Sequence, residues 1–453
     1  MPTRFFSFIM LSILVFSLAG AVYANSEVET LARQAVSENP AEAGPAIARL
    51  RQMGPEGLRI LFEVYADEIK RHTLEEGATA AATQKDAAWQ RLSAALDAVG
   101  QQRNVYLSRL YWYTDFEEAR AAAQKSGKPI LSLRLLGRLD EELSCANSRF
   151  FRTALYSNAE ISRLLRERFI LHWKTVRPAP RVTVDFGDGR RFESTITGNS
   201  IHYILDPAGR VIDALPGLYG PQAFTRELLR AETVSKQLTS QIAEQRANIL
   251  RAFHDERIDA LAKAWAADLE RAGVKVPPEI QATNPQETRP PSARAAARMA
   301  MTKAVTENGI VNALTFDATT LQRTTDDAAW TKIAALHLDE ARLDPSSIAL
   351  MRRQNPNLKE LAPGATTAAA QAELFSNLVK NFERYIALDT VRNEYWLHSK
   401  LHAWLLNGRF SDNVEALNEK VYAELFLTPR TDPWLGLYAP DAYTALDGGG
   451  ISR

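Results

Sequence analysis

The chain has 453 residues, with 54 Lys+Arg against 54 Asp+Glu, and 46% of its side chains are apolar. That length allows two or three domains with sizeable cores, and the balanced charge gives no general attraction to nucleic acid or to an anionic membrane. A single cysteine, Cys145, excludes any disulfide within the chain, so the fold must stand on its apolar cores.

In chain order, Arg4 precedes an apolar run from Phe5 to Ala21, and Val22-Tyr23-Ala24 ends it with small residues. This reads as a secretory signal over 1–24, cleaved after Ala24. The alternative is an uncleaved anchor, whose run sits at the lower limit of about 17 residues for crossing a bilayer. No later stretch is apolar and long enough to span one. The mature chain is therefore expected to be periplasmic or secreted, with no membrane span. An unpaired thiol in such a compartment is either buried and inert or exposed and reactive.

Residues 25–111 carry apolar positions at helical spacing, in Ala46–Leu50 and Gly57–Tyr65 around Gly54-Pro55, then in Trp89–Val99 and Val105–Tyr111. Two helix pairs resemble a HEAT-type solenoid, and a small helical cap on the next domain is the alternative. From 112 to 232 helix and strand alternate. Phe116–Ser126 reads as a helix capped by Thr114 or Asp115, Gly127-Lys128-Pro129 as a turn, and Ile130–Leu136 as a strand. Cys145 opens the next helix, which runs to Tyr156, and Ala159–Glu167 follows as another. Phe169–Lys174 is a strand, and Val182–Phe186 and Arg191–Ser194 form a hairpin about Gly187-Asp188-Gly189. Strands over 201–205 and 210–214 flank Asp206-Pro207-Ala208-Gly209, and a helix starts near Pro221. A long helix or helix pair ends near 272, and 273–293 is a Pro-rich linker. The remainder, 294–453, reads as a helical domain with helices over Arg294–Thr306, Trp330–Glu340, Ser346–Arg353, Thr367–Tyr385, Thr390–Leu406 and Val414–Phe426.

Five segments carry a family resemblance in their order and spacing. They are Asp115–Ala119 leading to Gly127-Lys128-Pro129, Cys145-Ala146-Asn147-Ser148, Tyr156–Ile161, Phe169-Ile170, and Tyr203–Ile212 with its Asp206-Pro207 turn. Over 112–232 the chain resembles exported bacterial thioredoxin-like domains. The resemblance implies an α/β thioredoxin-like sandwich, here flanked by mostly α-helical N- and C-terminal regions, with Cys145 at the position of the reactive thiol. It also implies that Asn199 and Ser200 line the site where the family binds substrate backbone. Two departures concern the chemistry. Ser148 stands where the second cysteine of the motif belongs, and Ser200 stands where the family has a cis-proline.

A thiol in the first turn of a helix is favoured as thiolate by the unpaired N–H groups there. Arg149 and Arg152 add positive potential, Glu141 and Glu142 oppose it, and Ser148 is expected to hydrogen-bond the sulfur. A C-x-x-S site can attack a disulfide and hold a mixed disulfide, but release needs an external thiol. The competing reading is a vestigial cysteine in an inherited fold.

Glu394, His398 and His402 share one helix face, and two imidazoles four residues apart can chelate zinc, copper or nickel. The stretch lacks the Glu of H-E-x-x-H, and such histidines are more often polar members of a packed helix. The aromatic stretch Asp432–Tyr438 is expected to fold back as an apolar clasp, or else to form a binding edge. No phosphate loop, Gly-x-Ser-x-Gly or C-x-x-C-H motif occurs. The sequence thus supports two functions, one-thiol disulfide exchange at Cys145 or a non-catalytic scaffold, with metal binding third. A protein partner or substrate is expected and no cofactor; the oligomeric state is not specified.

Overall fold

The computed structural model describes residues 27–74, 86–196, 198–273, 326–355, 367–406 and 412–435. The predicted signal, the predicted helix 294–306 and, apart from Gly273, the predicted linker lie outside them.

Helices α1 (27–34), α2 (Pro40–Gln52), α3 (Pro55–Val64), α4 (Ala66–Leu74) and α5 (Ala87–Gly100) enclose a core of their own, centred on Leu50, Leu61, Leu92, Leu96 and Val99. Their starts follow from local chemistry. The Asn39 side chain accepts the Ala41 N–H ahead of Pro40, and Asp86 accepts those of Ala88 and Trp89. The predicted helix over Val105–Tyr111 is shorter, Val105–Ser108, because Arg109 turns left-handed at φ 55°. The chain then extends, and Tyr113 donates its N–H to the Leu171 carbonyl.

Asp115 caps α6 (Phe116–Ser126), and Gly127, at φ 71°, ends it in the left-handed conformation glycine adopts without strain. Strand β1 (Ile130–Leu136) is buried along its whole length, which marks it as central. Next come α7 (Ala146–Phe150), widened into a π turn over Phe151–Tyr156, then α8 (Ala159–Arg168) and β2 (Ile170–Arg177). A two-stranded hairpin, β3 (Arg181–Asp185) with β4 (Arg191–Thr195), stands apart from the main sheet. Strands β5 (Ser200–Leu205) and β6 (Val211–Pro216) complete a mixed sheet in the order β2-β1-β5-β6. In it β1 and β2 are parallel, while β5 runs antiparallel to both β1 and β6. The architecture is therefore α/β, with a small mixed sheet among many helices.

The predicted long helix or pair is a pair, α9 (Pro221–Leu238) and α10 (Ala243–Arg271). Beyond it lie α11 (Asp326–Leu336), α12 (Pro345–Gln354), and α13 (Ala368–Arg392), which passes through a π turn at Asn393–His398 into α14 (Ser399–Leu406). Finally α15 (Val414–Lys420) runs into a third π turn, Val421–Leu425. These helices share one continuous core with the sheet: Ile386, Leu401, Leu417 and Val421 belong to the same buried cluster as Leu133, Ile204 and Leu215. Glycine allows two close approaches here. A Cβ at Gly220 would lie 2.5 Å from the Glu340 carbonyl oxygen, and one at Gly217 would lie 2.6 Å from Asn393 Nδ2. Asn393 in turn donates to the Leu218 carbonyl, 2.7 Å away. Among the described residues no helix is long and apolar enough to cross a membrane.

Candidate functional site

Strand β1 delivers the chain to a turn at Gly137, and the loop after it returns so that the Cys145 N–H bonds the Leu136 carbonyl. Cys145 is the residue that caps α7, as its extended backbone (φ −57°, ψ 155°) requires. Its side chain is 0% exposed, and its sulfur lies 3.1 Å from the Ser200 hydroxyl oxygen.

Ser148 does not serve the sulfur. Its hydroxyl donates to the Cys145 carbonyl oxygen at 2.9 Å and lies 2.5 Å from the Ser144 hydroxyl. A serine three residues into a helical turn reaches the carbonyl behind it more readily than the capping side chain, so the expected Ser148–thiolate bond is corrected here. The flanking charges are also spent elsewhere. Arg149 donates to Thr195 Oγ1, and Arg152 donates to the carbonyls of Glu141 and Glu142. Burial lowers the Arg152 guanidinium to about 10. The Glu142 carboxylate pairs outward with Arg103, and that of Glu141 with Arg138.

Asn199 and Ser200 open β5 beside the thiol, but another part of the chain already binds there. Tyr422, from the third π turn, donates its hydroxyl to the Asn199 carbonyl at 2.9 Å, and the Asn199 amide donates to Thr428 Oγ1 at 3.1 Å. Tyr203 donates to Asn418, and Arg177 donates to the carbonyls of Thr428 and Asp432. Buried Arg134 reaches Glu415 at 3.0 Å, which Lys174 also approaches at 3.1 Å. The segment 414–435 therefore lies against the strand that carries Ser200. Burial first, and the nearby Cys145 second, push the Tyr422 phenol well above its ordinary range. The expected clasp at Asp432–Tyr438 is anchored by the Asp432 backbone, with Leu435 buried and Trp434 left exposed. Residues 436–438 lie outside the described residues.

A second constellation forms on the far strand. Asp213 on β6 and His398 and His402 from the α13–α14 helix are each 0% exposed, and His254 of α10 is 2% exposed. His398 Nε2 lies 2.8 Å from Asp213 Oδ1, His402 Nδ1 lies 3.8 Å from the same oxygen, and His254 Nδ1 lies 3.0 Å from His402 Nδ1. The rings of His398 and His402 stack at 4.1 Å. Burial lowers His398 to about 3 and His254 to about 4, and drives His402 well below its ordinary value. All three imidazoles are therefore neutral at pH 7, the form that offers a lone pair to a metal. Glu394 turns away and pairs with Arg226 at 2.8 Å. Sequence reasoning missed Asp213 and His254. The legible signal was an aspartate in the middle of the apolar run Val211-Ile212-Asp213-Ala214-Leu215, where an ionisable group needs a buried partner.

A third grouping, Glu68, His72 and Asp86, is half-buried. There the His72 ring stacks on Trp89, and Asp86 is engaged as the cap of α5.

Compared with known proteins, the chain matches no family model, no curated protein and no solved structure.

Proposed function

We propose that this chain is an exported, non-catalytic binding protein built on a degenerate thioredoxin-like fold, with its old thiol site sealed by its own C-terminal helices. Three features support the fold reading. The sheet sets a parallel pair, β1 and β2, beside an antiparallel pair, β5 and β6, in the order β2-β1-β5-β6, which suits an α/β sandwich of that kind. A cysteine caps the helix after β1, and the residue facing it, Ser200, stands where the family has its cis-proline. Export rests on Arg4, the apolar run after it and Val22-Tyr23-Ala24.

One observation carries the functional reading: Cys145 is fully buried, and Asn199, next to the Ser200 that meets its sulfur, is hydrogen-bonded to Tyr422 and Thr428. Thiol exchange requires the sulfur to approach a substrate disulfide in line, and a sulfur without exposed surface offers no such approach. A second thiol to release the mixed disulfide is also missing from the chain. The surface left for a partner includes the β3–β4 hairpin, where Phe186 and Phe192 are exposed.

The test is alkylation of the native protein. Cys145 should resist iodoacetamide until the chain is unfolded and should form no mixed disulfide with a small disulfide reagent. Native labelling at the rate of a free thiol, or trapping of disulfide partners that a Cys145→Ala variant does not trap, overturns the reading.

A further inference from the structure

The buried cluster on β6 and α14 has no part in that reading. Its polar atoms do not balance. A carboxylate only accepts hydrogen bonds, and each neutral imidazole brings one donor and one acceptor. His398 Nε2 donates to Asp213 Oδ1, which also accepts the Ala214 N–H, and one of the facing Nδ1 atoms of His402 and His254 donates to the other. Left over are Asp213 Oδ2, His398 Nδ1 and His402 Nε2, all buried and with no partner among the described residues. Four donor atoms converge, Asp213 Oδ1, His398 Nε2 and the facing Nδ1 atoms of His402 and His254, and a cation among them would take the place of the shared protons, each imidazole then carrying its proton on its outer nitrogen.

We propose that Asp213, His398 and His402, with His254 against them, bind one divalent transition-metal ion of the zinc class as a closed structural site. One donor atom from each of Asp213, His398 and His402 lies within 4.8 Å of the others. Ligands about 2.0–2.1 Å from a tetrahedral ion lie about 3.3–3.4 Å apart. The separations of 2.8 Å and 3.8 Å from Asp213 Oδ1 bracket that spacing. Imidazole with carboxylate suits zinc, and the lack of thiolate disfavours copper(I). Full burial leaves no access for substrate, so the role is structural and not catalytic. The ion would tie three distant pieces together: β6, α10 and the helix that begins at the Asn393–His398 π turn, a distortion that recurs at functional sites.

The Glu68–His72–Asp86 grouping is the competitor, and the experiment separates the two. The full chain is expressed in medium containing zinc, dialysed, and its metal counted by atomic emission. The expected result is one zinc ion per folded chain, lost in Asp213→Asn and His402→Gln and retained in His72→Ala. Removing a ligand should weaken binding by at least about a hundredfold. If the buried variants do not fold, wild-type protein grown with cobalt(II) decides: the visible bands of a low-symmetry nitrogen–oxygen site are expected. Folded wild-type protein carrying no metal, absence of those bands, or loss of the ion with His72 and not with His402 overturns the proposal.

Discussion

Tyr422→Ala is the perturbation that bears most directly on the sealed thiol. The ring is 2% exposed, packs edge-on against Phe426 at 5.2 Å, and donates its hydroxyl to the carbonyl of Asn199, next to Ser200. Truncating a buried aromatic side chain to alanine costs about 3–5 kcal/mol. When a thiol reacts only from an opened state, its labelling rate follows the population of that state, and about 1.4 kcal/mol corresponds to tenfold. The alanine variant should therefore label about a hundredfold to several thousandfold faster than wild type. Tyr422→Phe keeps the ring and loses the hydrogen bond alone, about 1 kcal/mol, so labelling should rise about fivefold. The assay is a pulse of iodoacetamide on native protein, quenched and read as the mass of the peptide carrying the only cysteine, with urea unfolding in parallel. The reasoning fails if the alanine variant loses the expected stability yet labels no faster than wild type. It fails equally if wild-type Cys145 labels at the free-thiol rate.

Two further outcomes follow from the same structure. Burial pushes His172 and His202 down to about 3. The stability they contribute is fully present above the unfolded value near 6.5 and is lost as the pH falls from there toward 3, about 2 kcal/mol for each by pH 5. Asp97 runs the other way: burial raises it to about 7, so acidification relieves a buried charge, worth about 2 kcal/mol between pH 7 and 5. His337, held protonated by Glu340 and Asp268, also loses its contribution as the pH rises. The histidines outweigh Asp97, so the urea midpoint should be lower at pH 5 than at pH 7; an equal or higher midpoint contradicts the balance. Gly220→Ala, with the Glu340–Ala341 backbone at 2.5 Å and 3.0 Å from the added carbon, should cost about 1–3 kcal/mol by forcing the start of α9 from that turn. Gly44→Ala, in helix α2 with nothing but its chain neighbours within 4 Å of the added carbon, should cost less, because Pro45 is the one group that carbon would crowd. Thermal melts check the pair, and a Gly220→Ala protein melting with wild type would refute the close packing.

Much of the local architecture was legible in the sequence. The Gly127-Lys128-Pro129 turn, the hairpin about Gly187-Asp188-Gly189 and the Asp206–Gly209 turn all announce themselves, because turn residues act through their own backbone preferences. The same holds for the cap Asp115, whose side chain bonds the N–H group three residues on. The helix at 105–111 was overestimated because apolar spacing does not reveal that Arg109 turns left-handed. Ser148 was misjudged for a related reason. Its residue type suggested a thiol partner, while helical geometry hands its hydroxyl to the Cys145 carbonyl.

The candidate sites divide along the same line. By itself the sequence determined that there is one thiol and no disulfide, that this thiol opens a helix after a buried strand, and that His398 and His402 share a helix face. Those facts depend on composition and on spacings of a few residues. Only the tertiary structure decided that Tyr422 and Thr428 close over Asn199, beside the thiol, and that Asp213 and His254 meet the two histidines. These contacts join residues separated by more than a hundred positions. They arise because the helices after residue 326 bury their apolar faces in the same core as the sheet, and no local pattern encodes where on that sheet they land.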